Sequence, residues 1–180
     1  MELEGKQIAI LAEDLYEDLE LWYPYYRLKE AGATVKVVGS GRNPTHASKH
    51  GLPVTPDLTI ESARVADFDA VVIPGGYSPD LMRRKPEMVK FVRDMDAAGK
   101  TVAAICHAGW MLVSAGIVKD RPLTGFHSIK DDLVAAGARY QDSPVVVDRN
   151  LVTSRMPADL PDFCRTIIGQ LAKKPAAVAS

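Results

Sequence analysis

The chain has 180 residues and a formal net charge of -1; 47% of its residues are hydrophobic and 25% are charged. This balance is typical of one globular domain, which we expect to span residues 1–180 with a flexible tail from about residue 173. The Lys and Arg residues are scattered and create no basic field, so the composition argues against a nucleic-acid-binding protein.

The first predicted strand is the apolar run 7–11, and an acidic loop follows it. Large apolar side chains then recur at helical spacing, which predicts a helix that stops at Gly32. Pro24 should kink this helix or lie in its first turn. Acidic residues at a helix start stabilise the helix dipole, which is a structural explanation for Glu17 and Glu20 alike. On the helical wheel, however, only Glu20 borders the apolar stripe, so Glu20 is the better candidate for a half-buried acid.

Residues 34–38 form the second predicted strand, and the turn at 39–41 superficially resembles a dinucleotide-binding loop. No third glycine follows at the required spacing, and Pro44 interrupts the helix that would hold a pyrophosphate, so no cofactor is expected there. His46 and His50 have the spacing of helical metal ligands. They lie among prolines and glycines, however, and we interpret them as loop histidines.

The third predicted strand, 70–73, ends abruptly at Gly75 and Gly76. Adjacent glycines permit close approach of the backbone, so this loop could aim an N–H group into a crevice at the strand's carboxyl end. An ordinary tight turn explains the same residues equally well. The basic patch 83–85 is interpreted as solvated surface, and Pro86 opens the next predicted helix.

The fourth predicted strand, 101–105, stops at Cys106 and is followed by a helical pattern. A cysteine at such a junction projects into a crevice, and the small residues Ala104 and Ala108 fit the crowded turn of a nucleophile elbow. A buried structural thiol is the commoner role of cysteine. His107 beside the thiol favours the reactive role.

After the elbow helix, Ser128 is predicted to cap a helix, because Asp131 follows it at the spacing of an approximate capping box. His127 precedes this cap. It either lines a site or is a solvated loop residue, and the sequence leaves both alternatives open.

The last part of the chain predicts a hairpin, with strands at 145–147 and 151–154 joined by a three-residue turn, and a final helix at 161–171. Cys164 is assigned to packing within that helix. Strands alternate with helices throughout, which predicts one three-layer α/β sandwich around a mainly parallel sheet. The acidic loop, the double glycine and the cysteine all fall at carboxyl ends of strands, where ligands bind in such sheets.

The chain contains two cysteines, and neither has the spacing of a zinc site or a disulfide framework, so no metal is expected. The N-terminus lacks the charged and apolar regions of a signal peptide, and no apolar run is long enough to cross a bilayer. We therefore expect a cytoplasmic protein that does not bind membranes.

Four separated motifs, in this order, resemble the ThiJ/PfpI superfamily and most closely its intracellular-protease and protein deglycase branch: residues 17–24, 73–76, 104–108 and 154–160. The resemblance covers almost the whole chain. It implies a flavodoxin-like three-layer α/β/α sandwich with a nucleophile elbow, related to class I glutamine amidotransferases. This fold agrees with the layers predicted from the strand and helix pattern.

The resemblance also implies roles for individual residues. Cys106 matches the family's nucleophile, and the backbone N–H groups of Gly76 and His107 match its oxyanion donors. The family's helix acid lies four residues before a proline, which selects Glu20. In the protease-like branch an acid from a neighbouring subunit orients the histidine; Asp80 is the matching position, although the branch often has glutamate. The resemblance therefore implies a homodimer or a higher oligomer, such as a hexamer. Weaker candidates for lining the substrate pocket are Glu17, Gly75, Tyr77 and His127.

The resemblance does not fix one reaction. Our leading hypothesis is a cysteine enzyme of glyoxalase or deglycase type that protects against stress by acting on small dicarbonyls such as methylglyoxal, or on glycated protein, without metal or organic cofactor. The first alternative is an intracellular cysteine peptidase using Cys106, His107 and Asp80 across a subunit boundary. It is less favoured because adjacent side chains at a tight turn generally point apart. The second alternative is a non-enzymatic, redox-sensing or chaperone-like stress protein.

Overall fold

The computed structural model describes residues 1–172, so the predicted flexible tail from about residue 173 lies outside the described residues. The strands are β1 (Gln7–Ala12), β2 (Thr34–Gly39), β3 (His46–Ala47), β4 (Pro53–Val54), β5 (Leu58–Thr59), β6 (Ala70–Ile73), β7 (Thr101–Ile105), β8 (Pro122–Leu123), β9 (Arg139–Tyr140), β10 (Val145–Asp148) and β11 (Leu151–Ser154). The helices are α1 (Asp18–Glu30), α2 (Ser78–Met82), α3 (Pro86–Ala97), α4 (Gly109–Ala115), α5 (Lys130–Ala135) and α6 (Leu160–Ala172).

The main sheet has seven strands in the order β10-β11-β7-β6-β1-β2-β5. All neighbours pair in parallel except β10, which is the antiparallel edge strand beside β11. The central strands are continuous apolar runs because parallel strands are covered on both faces. The strand order and the flanking helices confirm the predicted flavodoxin-like α/β/α sandwich.

Alternate residues of the strands supply two separate cores. Ile8 and Ile10 of β1 pack on the face covered by α1 and α6. Ala9 and Leu11 pack on the opposite face, together with the buried side chains of α3 and α4. None of the helices within residues 1–172 is long and apolar enough to cross a bilayer.

The topology places a crevice at the carboxyl ends of β1 and β6. From β1 the chain continues outward on one side to β2 and β5, then returns to the other side of β1 to form β6, β7 and β11. The order of the strands therefore reverses between β1 and β6. Ligands in open α/β sheets bind at such a reversal, outside the carboxyl ends of the strands.

Two local predictions differ from the structure, and a third leaves two alternatives open. Pro24 lies inside α1 and not in its first turn, and its ring nitrogen supplies no hydrogen-bond donor there. His46 is not a loop histidine: it is fully buried in β3, with its Nδ1 atom 3.0 Å from Glu13 Oε1. The hairpin turn contains two residues rather than three, because Asp148 pairs with Leu151 as part of β10.

The loop after β1 is tied directly to the double-glycine loop after β6. Tyr16 and Gly76 form an antiparallel bridge, and the N–H of Tyr77 donates to the carbonyl of Leu15 at 2.9 Å. Gly76 has a φ of +73°, and a Cβ atom there would lie 2.5 Å from the Leu15 oxygen and 2.6 Å from the Glu17 nitrogen. Only glycine combines this conformation with this close approach.

Gly76→Ala is expected to lower the free energy of unfolding by about 2 kcal/mol or more, because the added methyl group meets backbone atoms and the backbone is left-handed. Gly169→Ala is the matched control. Gly169 lies in α6, and a Cβ atom there meets nothing within 4 Å. This change is expected to be neutral or to stabilise by up to about 1 kcal/mol. Urea unfolding measures both variants, and equal effects would contradict the close approach at Gly76.

Candidate active site

Cys106 lies at a sharp elbow between β7 and α4. Its φ is +62°, in the left-handed region that residues other than glycine rarely adopt. A single 3-10 turn over Cys106–Ala108 then leads into α4. The predicted strand, turn and helix around Cys106 are thus all present, and 7% of the surface of Cys106 remains exposed. A strained residue at the end of a central strand is typical of a nucleophile elbow.

A cavity of about 380 Å³ opens beside Cys106. The acidic loop after β1, the double-glycine loop after β6 and the elbow after β7 all contribute to it, as the topology predicts. Its walls are mainly aromatic and apolar, with one carboxyl–ammonium pair. The lining residues are Leu15, Glu17, Glu20, Lys49, Gly76, Tyr77, Cys106, His107, Trp110, Phe126 and Pro157.

Glu20 is the fully buried acid of this cavity. It projects from the first turn of α1, and its Oε2 atom accepts a hydrogen bond of 2.7 Å from the N–H of Gly75. Burial raises the pKa of Glu20 to about 8, although the Gly75 bond acts in the opposite direction. The carboxyl group is therefore mainly protonated at neutral pH, and it lies within hydrogen-bonding reach of the Cys106 thiol.

Burial and the Glu20 carboxylate charge raise the pKa of the Cys106 thiol. The backbone N–H groups of Gly76 and His107 lower the pKa of this thiol. Protonation of Glu20 removes the opposing negative charge. The two N–H groups then favour negative charge on the sulfur.

His107 lies beside the thiol in the same chain. Its Nδ1 atom is 3.1 Å from Cys106 Sγ, so the expectation that these neighbouring side chains point apart is wrong for this turn. The left-handed backbone at Cys106 rotates the two side chains toward each other. The His107 ring stacks on Phe126, with 4.9 Å between the ring centroids. Burial, followed by the charges of Lys49 and His127, lowers the pKa of His107, so the ring is a neutral proton acceptor near pH 7.

The weaker pocket predictions have mixed outcomes. Glu17 lines the cavity and forms an ion pair with Lys49, and Tyr77 lines its rim. Gly75 lies at the junction of the site: a Cβ atom there would lie 2.6 Å from Glu20 Oε2 and 2.7 Å from Cys106 Cβ. His127 is not among the lining residues, because its ring packs against Phe126 outside the cavity.

Asp80 lies in α2, away from the cavity lining, and accepts a hydrogen bond of 2.8 Å from Arg84. The charge of Arg84 helps to hold the pKa of Asp80 below its usual range, in spite of the opposing effect of burial. The predicted role of Asp80 concerns the His107 ring of a neighbouring subunit. That role stays a prediction.

Sequence analysis missed six residues around Cys106. The missed residues that line the cavity are Leu15, Lys49, Trp110, Phe126 and Pro157, and Ser128 Oγ is 3.1 Å from His107 Nε2. The predicted cap at Ser128 is wrong, because α5 begins at Lys130 and no side chain caps it. Trp110 could have been found from its position directly after the elbow. The other five come from loops and turns that are distant in sequence.

Two groups of acidic and histidine side chains have atoms within 4.8 Å of one another: Glu13, Asp14 and His46, and Glu17, Asp18 and His50. Protein donors already engage both groups. Asp14 Oδ1 accepts the N–H of Ala47 at 2.9 Å, and Asp18 accepts from Ser48 Oγ at 2.7 Å and contacts His50 Nδ1 at 2.6 Å. These hydrogen bonds engage the carboxylates of both groups, whereas the two ring nitrogens of His46 are buried and make no hydrogen bond within the described residues.

The sandwich and its elbow cysteine define a class of α/β proteins that carry a thiol at the carboxyl edge of a parallel sheet. A model of the DJ-1/PfpI family matches residues 6–170. The chain therefore belongs to the DJ-1/PfpI family, and the resemblance predicted from the four motifs is confirmed.

Individual relatives cover nearly the whole chain. Over 162 residues it is 42% identical to Deglycase PH1704 of Pyrococcus horikoshii, covering 90% of this chain and 97% of that protein. Over 167 residues it is 40% identical to a Bacillus subtilis protein named "Putative cysteine protease YraA", covering 93% and 99%. A solved two-domain protein of Anabaena variabilis, with DJ-1/ThiJ/PfpI-like and ferritin-like domains, matches 93% of this chain with a TM-score of 0.91 and 44% identity. This chain spans 48% of that protein.

Glu20→Gln tests the protonated state of the buried acid. The pKa of Glu20 is raised in the folded protein to about 8. Unfolding between pH 5 and pH 8 therefore releases a proton, and stability falls as the pH rises, by up to about 1.4 kcal/mol per pH unit. The variant keeps an acceptor for the Gly75 N–H but does not titrate. Its free energy of unfolding relative to wild type should therefore increase from pH 5 to pH 8.

Urea titrations at four pH values measure this difference. Glu30→Gln, at the exposed end of α1, is the control and should follow the wild-type pH dependence. If the free energy of unfolding of Glu20→Gln changed with pH in parallel with that of wild type, Glu20 would ionise in its ordinary range.

Proposed function

We propose that the protein is a cofactor-independent cysteine enzyme that acts on small reactive dicarbonyls or on their adducts with proteins. The environment of Cys106 Sγ carries this proposal. The sulfur lies 3.1 Å from a ring nitrogen of His107, near the largely protonated carboxyl group of Glu20 and near two backbone N–H groups. The relatives from Pyrococcus horikoshii and Bacillus subtilis both carry enzyme names, and the first is named a deglycase, which supports an enzyme of this type.

The first step forms a carbon–sulfur bond. The Cys106 thiol gives its proton to His107 Nδ1, and the thiolate attacks the aldehyde carbon of methylglyoxal. The electron pair of the carbonyl bond moves to oxygen, and the N–H groups of Gly76 and His107 stabilise the resulting alkoxide. The His107 imidazolium returns its proton to the alkoxide, and the product of this step is a hemithioacetal.

The remaining steps move protons and add water. The proton on the former aldehyde carbon transfers to the neighbouring carbon through an enediol, which converts the hemithioacetal into a thioester. Glu20, with a pKa of about 8, can give and take this proton near neutral pH. Water then cleaves the thioester, releasing lactate and returning the thiol. The balance is methylglyoxal plus water to lactate, with no net oxidation.

The enzyme is also expected to self-associate, as its family resemblance implies. The outer face of α1 exposes the large apolar side chains of Leu19, Tyr23 and Tyr26, which supports an interface there. Both described cysteines are free thiols, which suits a reducing cytoplasm.

Cys106→Ala is expected to abolish methylglyoxal turnover, lowering kcat/KM by more than about 100-fold, because it removes the sulfur that forms the carbon–sulfur bond. Glu20→Gln should lower kcat by about 10- to 100-fold, because the proton shift loses its carrier. Cys164→Ala is the matched control: Cys164 is fully buried in α6, remote from the cavity lining, and its loss should leave turnover unchanged. Lactate formation is measured with protein from a host that lacks its own glyoxalases. Full turnover by Cys106→Ala would overturn the proposal.

Peptide hydrolysis is the second candidate function. The contact between Cys106 Sγ and His107 Nδ1 supplies an in-chain thiol–imidazole pair, which is the activating arrangement of cysteine peptidases. The name of the Bacillus subtilis relative points in the same direction.

Under this second function, the protein should cleave denatured casein, and both Cys106→Ala and His107→Gln should abolish cleavage, because they remove the nucleophile and its base. Cys164→Ala again serves as the control. Mass spectrometry of the peptides released is the measurement. Cleavage that persists in Cys106→Ala would identify a contaminating protease. If the wild-type protein cleaves no casein, the second function is wrong and only the dicarbonyl proposal remains.

A further inference from the structure

Ser128 contacts the catalytic candidate His107 although it is distant in sequence. It lies in the 3-10 turn His127–Ile129, which precedes α5, and its side chain is exposed. Its Oγ atom lies 3.1 Å from His107 Nε2. We propose that Ser128 is the positioning residue for His107, holding the ring from within the same chain so that Nδ1 faces the Cys106 sulfur. The inference rests on the proposed role of Cys106 as a nucleophile, and it does not depend on the substrate.

The two ring nitrogens of His107 have separate partners. An imidazole can accept the thiol proton at Nδ1 only if the neutral ring carries its hydrogen on Nε2. Ser128 Oγ can accept that N–H, and it thereby favours the reactive tautomer. After proton transfer the imidazolium has two N–H donors. Each then has an acceptor 3.1 Å away, the thiolate at Nδ1 and Ser128 Oγ at Nε2.

The turn that carries Ser128 is fixed to the elbow. The N–H of Phe126 donates to the carbonyl of Cys106 at 3.1 Å, and the Tyr140 hydroxyl donates to the carbonyl of Gly125 at 3.0 Å. Phe126 also stacks on the His107 ring. The serine hydroxyl is thus presented by a segment that is hydrogen-bonded to the backbone of the nucleophile, which is what an orienting group requires.

Among the described residues of the same chain, the charged groups around His107 do not supply this orienting bond. Burial lowers the pKa of His107 most, and Lys49 and His127 act in the same direction. Glu20 Oε2 accepts a hydrogen bond from the N–H of Gly75. Asp132 of α5 accepts a hydrogen bond of 2.8 Å from the indole N–H of Trp110, whose ring also contacts that of His107. Ser128 therefore supplies the acceptor at Nε2 that the carboxylates do not.

The test measures the rate of Cys106 alkylation by iodoacetamide as a function of pH, followed by mass spectrometry of the intact protein. Ser128→Ala is expected to slow alkylation at pH 7 by about fivefold, since a hydrogen bond to a charged ring is lost and water replaces it only in part. The pH midpoint for thiolate formation should move upward. Ser128→Thr, which keeps the hydroxyl, should restore both the rate and the midpoint.

Ser62→Ala is the matched control, because Ser62 is an exposed serine that donates to the carbonyl of Thr59 in another loop. It should behave as wild type. Long-range 1H–15N NMR of the histidine rings supplies a second measurement. In wild type the neutral His107 ring should carry its hydrogen on Nε2, and in Ser128→Ala both tautomers of the ring should be populated.

An unchanged alkylation profile and tautomer in Ser128→Ala would overturn the proposal. It would also be overturned if Ser128→Thr failed to restore the rate, or if Asp80→Asn moved the midpoint while Ser128→Ala did not. Dicarbonyl turnover by wild type is measured in parallel. A protein without that turnover but with a Ser128-dependent alkylation profile would contradict the proposed substrate and leave the role of Ser128 standing.

Discussion

The arrangement of the site depends on the left-handed backbone at Cys106, where φ is +62°. Such a conformation costs a residue other than glycine about 1–3 kcal/mol, so the surrounding structure must hold it. β7 does so because it is paired on both sides within the sheet. The carbonyl of Cys106 is also bound by the N–H of Phe126. In an extended backbone the side chains of Cys106 and His107 would point to opposite sides. The elbow brings the sulfur and the ring nitrogen into contact instead.

The second constraint is the burial of Glu20. Ionising this carboxyl group in place, with a pKa of about 8 against an ordinary 4.5, costs about 5 kcal/mol relative to water. The protein therefore keeps it largely protonated at neutral pH. Gly75 makes this possible, because any side chain there would occupy the space shared by the acid and the thiol. The absence of a side chain at Gly75 thus lets the Glu20 carboxyl group and the Cys106 thiol lie close together in a buried site.

The fold and the centre of the site could be predicted from the sequence because they depend on local patterns. Buried parallel strands are continuous apolar runs, and the helical wheel alone separated Glu20 from Glu17. Residues whose environment is set by distant loops could not be predicted. His46 carries no periodic signal and is nevertheless buried against Glu13. Ser128 satisfies a capping rule in sequence, yet its hydroxyl lies against His107, because tertiary contacts override a local preference worth about 1 kcal/mol.

The charged groups that line the cavity also influence which substrates it can bind. Glu17 and Lys49 form an ion pair, so neither presents a free charge to a ligand, and Glu20 is largely neutral. The remaining walls include aromatic rings, and the volume of about 380 Å³ is at the small end of the range for ligand sites. A charged substrate would find no unpaired partner among these lining groups. A compact, neutral electrophile requires none, since the N–H groups meet the negative charge that arises only after attack. This charge balance favours a dicarbonyl over an extended peptide.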